Sequence, residues 1–260
     1  MKSLPFAPTD RFPAVIAPLT DPDVPTLVEH ALRAAETPGV DVLEWRVDTL
    51  QAFLDADHTL DTHELEPVRA AVTEAVETFR ERVSERFPVL VTVRTKAEGG
   101  SADLTDAAYA QLIDHLVSFA PVAVDIEWQR SGSQALIKRA KDAGVCALAS
   151  FHDFEKTPPA EYLYSMMQKM ERDGADVAKI AVMPQNRTDV LEVLSVADRA
   201  QSKLTVPVIT ISMGALGKAT RLVGSEFGSA ATWAAVGALS APGQLTVPQV
   251  LATLEALGDA

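Results

Sequence analysis

The sequence holds one cysteine, Cys146, among its 260 residues. An internal disulfide framework is thereby excluded, and within the apolar run GVCALA the thiol reads as a packed strand residue. Basic side chains are also scarce: 23 Lys and Arg against 36 Asp and Glu give a formal charge of −13 and a pI near 4.8. A protein that grips phosphate backbones needs a basic face, so nucleic acid is not an expected partner. A small anionic substrate is still allowed if arginines are placed locally. No apolar stretch approaches the roughly 18 residues of a membrane-spanning helix, and the opening MKSLPFAPTD lacks the apolar core of a signal peptide. No membrane association and a cytoplasmic location are therefore expected.

What is present is a regular alternation. Apolar, β-branched runs recur at 14–19, 41–47, 88–94, 122–128, 145–151, 176–182 and 206–212, with a weaker one at 229–235. Between them lie segments with apolar residues at i, i+3 and i+4, as at 26–36, 104–120 and 189–201, which read as amphipathic helices. A last helix is expected over 246–257, with Thr246 as its N-cap and Pro248 in its first turn. Strand followed by helix, eight times over, predicts an α/β fold whose parallel strands close through right-handed crossovers into a single (β/α)8 TIM barrel over residues 1–260. A doubly wound open sheet is the alternative; the even spacing and the lack of a Gly-rich turn after strand 1 count against it. The Asp-rich stretch 51–66, with His58 and His63, has no metal-ligand spacing of the HExxH kind and reads as a solvated loop.

In such a barrel the chemistry gathers at the C-terminal ends of the strands. Period-two alternation sets Glu44, Arg46 and Asp48 on one face of strand 2 and Leu43, Trp45 and Val47 on the other. The bulky apolar face suits the outer helices, so the charged row is expected at the barrel mouth and not in water. Strand 3 repeats the device with Thr92, Arg94 and Lys96, and Asp125 and Glu127 end strand 4. His152 closes strand 5, where catalysis competes with a satisfied core histidine; His30 and His115 fall in helical patterns and read as surface or satisfied residues. Lys179 is the outlier, a lone ammonium in the apolar GADVAKIAVMPQ. A strand buried on both faces strips that group of water. It then pairs with Asp125 or Glu127, is buried neutral, or serves as a nucleophile whose pKa is pushed down toward the amine that attacks a carbonyl. The loop MGALGKAT is not a P-loop, because GxxxxGK[ST] is missing and Ala219 replaces the hydroxyl that would hold magnesium. A glycine loop after strand 7 still offers backbone N–H groups to an oxyanion, and Arg221 can hold a carboxylate or phosphate bidentately.

Taken together, EWRVD (44–48), VRTKAEGG (93–100), SFHDF (150–154), AKIAVMPQ (178–185), ISMGALGKATRLVGSEFGSAATW (211–233) and SAPGQLTV (240–247) resemble the type I 3-dehydroquinate dehydratases, from about residue 13 to the last helix and in that family's order. The resemblance implies a carbon–oxygen lyase of the shikimate pathway that converts 3-dehydroquinate to 3-dehydroshikimate by syn elimination. It implies that Lys179 forms an imine with the C3 ketone, and that His152 removes the C2 proton and returns it to the departing C1 hydroxyl. Glu98 would orient the ring and favour imidazolium. Arg221, helped by Gln244 and Ser240, would clamp the substrate carboxylate; Glu44, Arg46 and Arg94 would bind ring hydroxyls; Met183 and Phe227 would be apolar walls. Neither a metal nor an organic cofactor is implied, the partner is a small molecule, and a homodimer is expected.

Two departures stand out. Ala17 ends strand 1 where members often carry serine, and the dozen residues before that strand are short for a hairpin across the barrel floor. A Schiff-base aldolase or transaldolase would share the barrel and the strand 6 lysine, but Arg221 with SAPGQ suits a carboxylate. A catalytically dead barrel serving as a binding module would lack Lys179 or His152, and this chain has both.

Overall fold

The computed structural model describes residues 13–83, 87–237 and 241–258. The expected shortfall of a floor hairpin, and Ser240, lie outside these residues. Along the chain run β1 (Ala14–Leu19), α1 (Val24–Glu36), β2 (Val42–Arg46), α2 (Gln51–Leu54), α3 (Glu66–Arg82), β3 (Val89–Thr92), α4 (Asp106–Ser118), β4 (Ala123–Glu127) and α5 (Ser133–Asp142). Then follow β5 (Cys146–Asp153), α6 (Ala160–Arg172), β6 (Val177–Val182), α7 (Arg187–Lys203), β7 (Val208–Ser212), α8 (Lys218–Val223), β8 (Ala231–Ala235), β9 (Leu245–Thr246) and α9 (Val247–Gly258). The eight expected strands are realised with ends shifted by at most two residues, β5 running on to Asp153. Side-chain caps mark the helix starts: Asp23 accepts from Thr26 N, Thr105 from Ala108 N, and Asn186 from Thr188 N and Asp189 N. At α9 the expected cap takes another form. Thr246 sits in β9 and its amide donates to Gln249 Oε1 at 3.0 Å, the return half of a capping box.

All pairings are parallel, in the order β7-β6-β5-β4-β3-β2-β1-β8-β9, so the sheet curls until β8 returns to β7. There the seam is joined near the strand starts, by Ala230 N to Val208 O at 2.8 Å and Thr210 N to Ser229 Oγ at 3.2 Å. Nearer the mouth, β9 pairs with β8, and Pro242 O accepts from Gly214 N at 3.2 Å. Two apolar layers follow from the period-two alternation. Val15, Ala17 and Leu19 of β1 join the large cluster under the helices, whereas Ile16, Leu90, Leu148, Ile209 and Trp233 fill the lumen. Ala17 therefore faces the helix layer, and a hydroxyl there would point away from the mouth.

The stretch 51–66 is exposed at both His58 and His63, as expected, but ordered into α2 and a 3-10 turn over Thr62–Glu64. His58 is held by Asp57 and Glu64. Cys146 opens β5 and is half-buried.

Candidate active site

Parallel register carries polar side chains to the same level of the lumen. Glu127 pairs with Ser150 and Ser150 with Lys179, and the mouth-ward neighbours are His152 and Ala181. Lys179 is only 4% exposed. Its Nζ lies 3.7 Å from Asp125 Oδ2, an ion-pair distance too long for a hydrogen bond. It also sits 4.3 Å from the centroid of the Trp233 ring. Asp125 is engaged elsewhere: Oδ1 accepts from the Ser150 hydroxyl at 2.6 Å, and Oδ2 is 2.7 Å from Arg94 Nη2 without hydrogen-bond alignment. Of the two carboxylates considered for Lys179, Asp125 is thus the neighbour, and no pair with Glu127 forms. Burial holds the Lys179 pKa below that of an ordinary lysine; Asp125 and Glu44 oppose the shift, and Arg94 and Arg46 add to it.

Arg94 is the hub of the site. It pairs with Asp125, with Glu98 and Glu127 at 3.2 Å each, and accepts no water-exposed role, since Nη1 also donates to Ser150 Oγ at 3.1 Å. Its contacts are to protein acceptors and not arranged as an open hydroxyl-binding fork. Glu98 reaches this hub through a tight turn. Gly100 leaves no room for a side chain, because a Cβ would fall 2.0 Å from Arg94 O. Glu98 Oε2 is 2.8 Å from His152 Nδ1, which fixes the imidazole plane. Burial pushes Glu98 up to about 8, against the pull of Arg94. Burial, then Arg94, Lys179 and Arg46, push His152 well below an ordinary histidine. The expectation that Glu98 favours imidazolium is therefore corrected: it orients the ring, but the cations around the ring disfavour a charged imidazole at rest.

On the β2 side, Glu44 accepts from Thr92 Oγ1 at 2.9 Å and from Trp233 Nε1 at 2.8 Å. Arg46 is clamped bidentately by Asp48, both contacts at 2.8 Å, and Asp48 also accepts from Arg94 N and Ser101 N. The expected charged row exists, although Asp48 belongs to a 3-10 turn beyond the strand. Lys96 does not share it. β3 ends at Thr92, the alternation stops, and Lys96 turns to solvent beside Asp103.

The opposite side is cationic, with no carboxylate paired to it among the described residues. Arg221 on α8 is 4% exposed, donates from Nη2 to Pro242 O at 3.3 Å, and has no carboxylate partner among the described residues. Its Nε lacks a hydrogen-bond partner, and burial alone lowers its pKa to about 10. The buried Gln244 lies two residues beyond that carbonyl. Gly243 makes the approach possible, since a Cβ would come within 2.1 Å of Gly214 O. Met183, half-buried past the end of β6, has its sulfur 3.2 Å from where a Gly214 side chain would begin, which places it on this rim.

Phe227 is not a wall of the site. It ends a 3-10 turn before β8, is 37% exposed, and sits by Ser229, which bridges the first residue of β7 at the floor end. The aromatic wall is Trp233, 6% exposed, which the sequence reading passed over. Its signal was available: Ala231 and Trp233 alternate with Thr232 and point inward. Outside His152, an open cleft of about 720 Å³ runs between Lys96, Gly99, Gln129, Phe154 and Lys156. Among the described residues, no group of three or more His, Cys, Asp or Glu is arranged to hold a metal ion, and no helix is long and apolar enough to cross a membrane.

Comparison with known proteins points the same way. A profile of the type I 3-dehydroquinase family matches residues 15–260. The chain is 38% identical over 223 residues to a 3-dehydroquinate dehydratase of Klebsiella pneumoniae, covering 84% of this chain and 83% of that one. It is 36% identical over 248 residues to the enzyme of that name from Listeria monocytogenes, covering 94% and 92%. Among solved structures, 3-dehydroquinate dehydratase from Geobacillus kaustophilus superposes with a TM-score of 0.84 at 32% identity, covering 95% of this chain and 91% of that one. The type I enzyme from Clostridium difficile, solved with covalently modified comenic acid, gives 0.84 at 28% identity, covering 95% and 93%.

Proposed function

The chain belongs to the type I 3-dehydroquinase family, and from that premise we propose that Lys179 is its imine-forming nucleophile and His152 its general base and acid. The Lys179 amine condenses with the C3 ketone of 3-dehydroquinate and water departs. The protonated imine withdraws electrons from the adjacent C2–H, whose proton passes to the Nε2 of His152, and the bonding pair becomes an enamine. Collapse of the enamine breaks the C1–O bond, and the hydroxyl leaves as water with the proton that His152 returns. A second water cleaves the imine, freeing 3-dehydroshikimate and the amine. One water is released overall.

The observation that carries this reading is the state of Lys179: a buried amine whose nearest described carboxylate, Asp125, is 3.7 Å away and already bound by Ser150 and Arg94. Its lowered pKa raises the nucleophilic fraction. The uncharged tendency of His152 suits a base at the start of the cycle. Arg221 supplies a buried positive charge with no carboxylate partner among the described residues, as a carboxylate-bearing ring requires. Gln244 is assigned beside it, with Ser240 given the same carboxylate by the resemblance alone, Glu44 and Arg46 to ring hydroxyls, Met183 and Trp233 to the apolar wall, and Arg94 and Glu98 to holding Asp125 and His152. A covalent ligand in the C. difficile relative is in keeping with a nucleophile in the pocket. We further infer one catalytic domain over residues 1–260 and a cytoplasmic location, and the resemblance adds a homodimer.

Borohydride added with 3-dehydroquinate tests the mechanism. A reduced adduct is expected on the peptide that contains Lys179, seen by mass spectrometry and absent from Lys179→Ala. Turnover of 3-dehydroquinate without any trappable adduct would sink it.

A further inference from the structure

His30 on α1 takes no part in the chemistry above, yet both of its ring nitrogens are committed. Nδ1 is 2.8 Å from Asp21 Oδ2 and Nε2 is 2.8 Å from Val236 O. Both partners are acceptors only, a carboxylate and a backbone carbonyl. A neutral imidazole carries one N–H and would set a lone pair against one of them, whereas an imidazolium donates to both. The side chain is 12% exposed, so little water is at hand to relieve the mismatch. Val236 is the residue that leaves β8, and Gln244 follows eight residues later. The Pro242 carbonyl between them receives Arg221 Nη2, and β9 begins at Leu245.

We propose that His30, as an imidazolium, is a positioning residue for the carboxylate site, pinning the exit of β8 to α1 and so fixing the strand end on which β9 pairs, immediately after Pro242 and Gln244. The inference rests on the reading of Arg221 as the carboxylate clamp. The charged groups acting on His30 are Asp21, from the loop before α1, and Arg33 on its own helix; the β8 exit contributes only the Val236 carbonyl. The Asp21 hydrogen bond is the largest influence and raises the pKa, outweighing burial and Arg33. Two donated bonds thus exist below the raised pKa, and one is lost as pH climbs through it.

The test pairs two readouts on the intact chain. Imidazole nitrogen resonances follow the ionisation of His30 directly, and steady-state kinetics with 3-dehydroquinate follow KM over the same pH range. KM is expected to rise about tenfold as His30 loses its proton, with no change in kcat that follows the His30 midpoint, the loss of one charge-assisted bond setting the scale. In Asp21→Asn the midpoint of His30 and the rise in KM should move to lower pH together. His30→Gln should show the raised KM at every pH, without that limb. A KM indifferent to the ionisation of His30 overturns the proposal, as does a ring already neutral at pH 6. Should Asp21→Asn fail to fold, the wild-type titration and His30→Gln decide by the same criteria. Failure of the clamp reading looks different: Arg221→Ala would then keep a wild-type KM while His30 titrated as described.

Discussion

Trp233 and Lys179 face each other across the lumen, the ammonium nitrogen 4.3 Å from the ring centroid, while the indole N–H is bonded to Glu44. One side chain therefore packs against the amine proposed as nucleophile and holds a carboxylate beside it. Trp233→Phe keeps the ring and loses the donor, which leaves Glu44 buried with only the Thr92 hydroxyl. We expect kcat/KM to fall about tenfold in Trp233→Phe and further in Trp233→Ala. Phe227→Ala, at the floor end, should stay within about twofold of wild type. Equal losses in Phe227→Ala and Trp233→Phe would refute this placement of the wall.

His152→Ala separates binding from proton transfer. The borohydride adduct on Lys179 should persist, while turnover falls by about 10²–10⁴, the usual contribution of a positioned base. Near-normal turnover would remove His152 from the role of base.

The pH dependence belongs to Glu98 and His152 as a pair. With Glu98 ionised, the ring donates its Nδ1–H to the carboxylate and Nε2 is left as base. With Glu98 protonated, the carboxyl donates to Nδ1, the ring proton moves to Nε2, and the base is lost. Because burial raises Glu98 to about 8, kcat should climb with pH through that region. Glu98→Gln cannot titrate, so the limb should vanish from its profile. A limb unchanged by that substitution would assign the ionisation elsewhere.

Arg221→Ala should raise KM about 100-fold, the scale of a charge-assisted bidentate contact. Arg221→Lys should recover only part of it, because a point charge replaces the planar fork. An analogue of the substrate lacking its carboxylate should bind wild type and Arg221→Ala alike, which inhibition constants can check.

Much of this was legible in the sequence. Eight apolar runs with helical spacers give a curled parallel sheet because the lumen and the helix layer impose period two on every strand, and Glu44, His152 and Lys179 fall on the inner face by that rule alone. The rule fails where strands end. Extending the alternation of β3 puts Lys96 at the mouth, where a 3-10 turn in fact takes over; Phe227 comes from the family resemblance and not from this rule, and it lies in the turn before β8. The charge state of the Glu98–His152 pair was beyond reach for another reason. It depends on three cations converging from β2, β6 and the segment that follows β3, and such convergence is set by register and not by any local pattern.

The seam between β7 and β8 has a mechanical consequence. Its direct bonds lie at the floor, while residues 242–246, which flank Gln244 and touch Arg221, fill the upper end. The cylinder is thus a spring clip whose tongue carries the proposed carboxylate site. A bound carboxylate would latch that tongue, slowing deuterium uptake at the upper amides of β7 and tightening the whole hoop against heat.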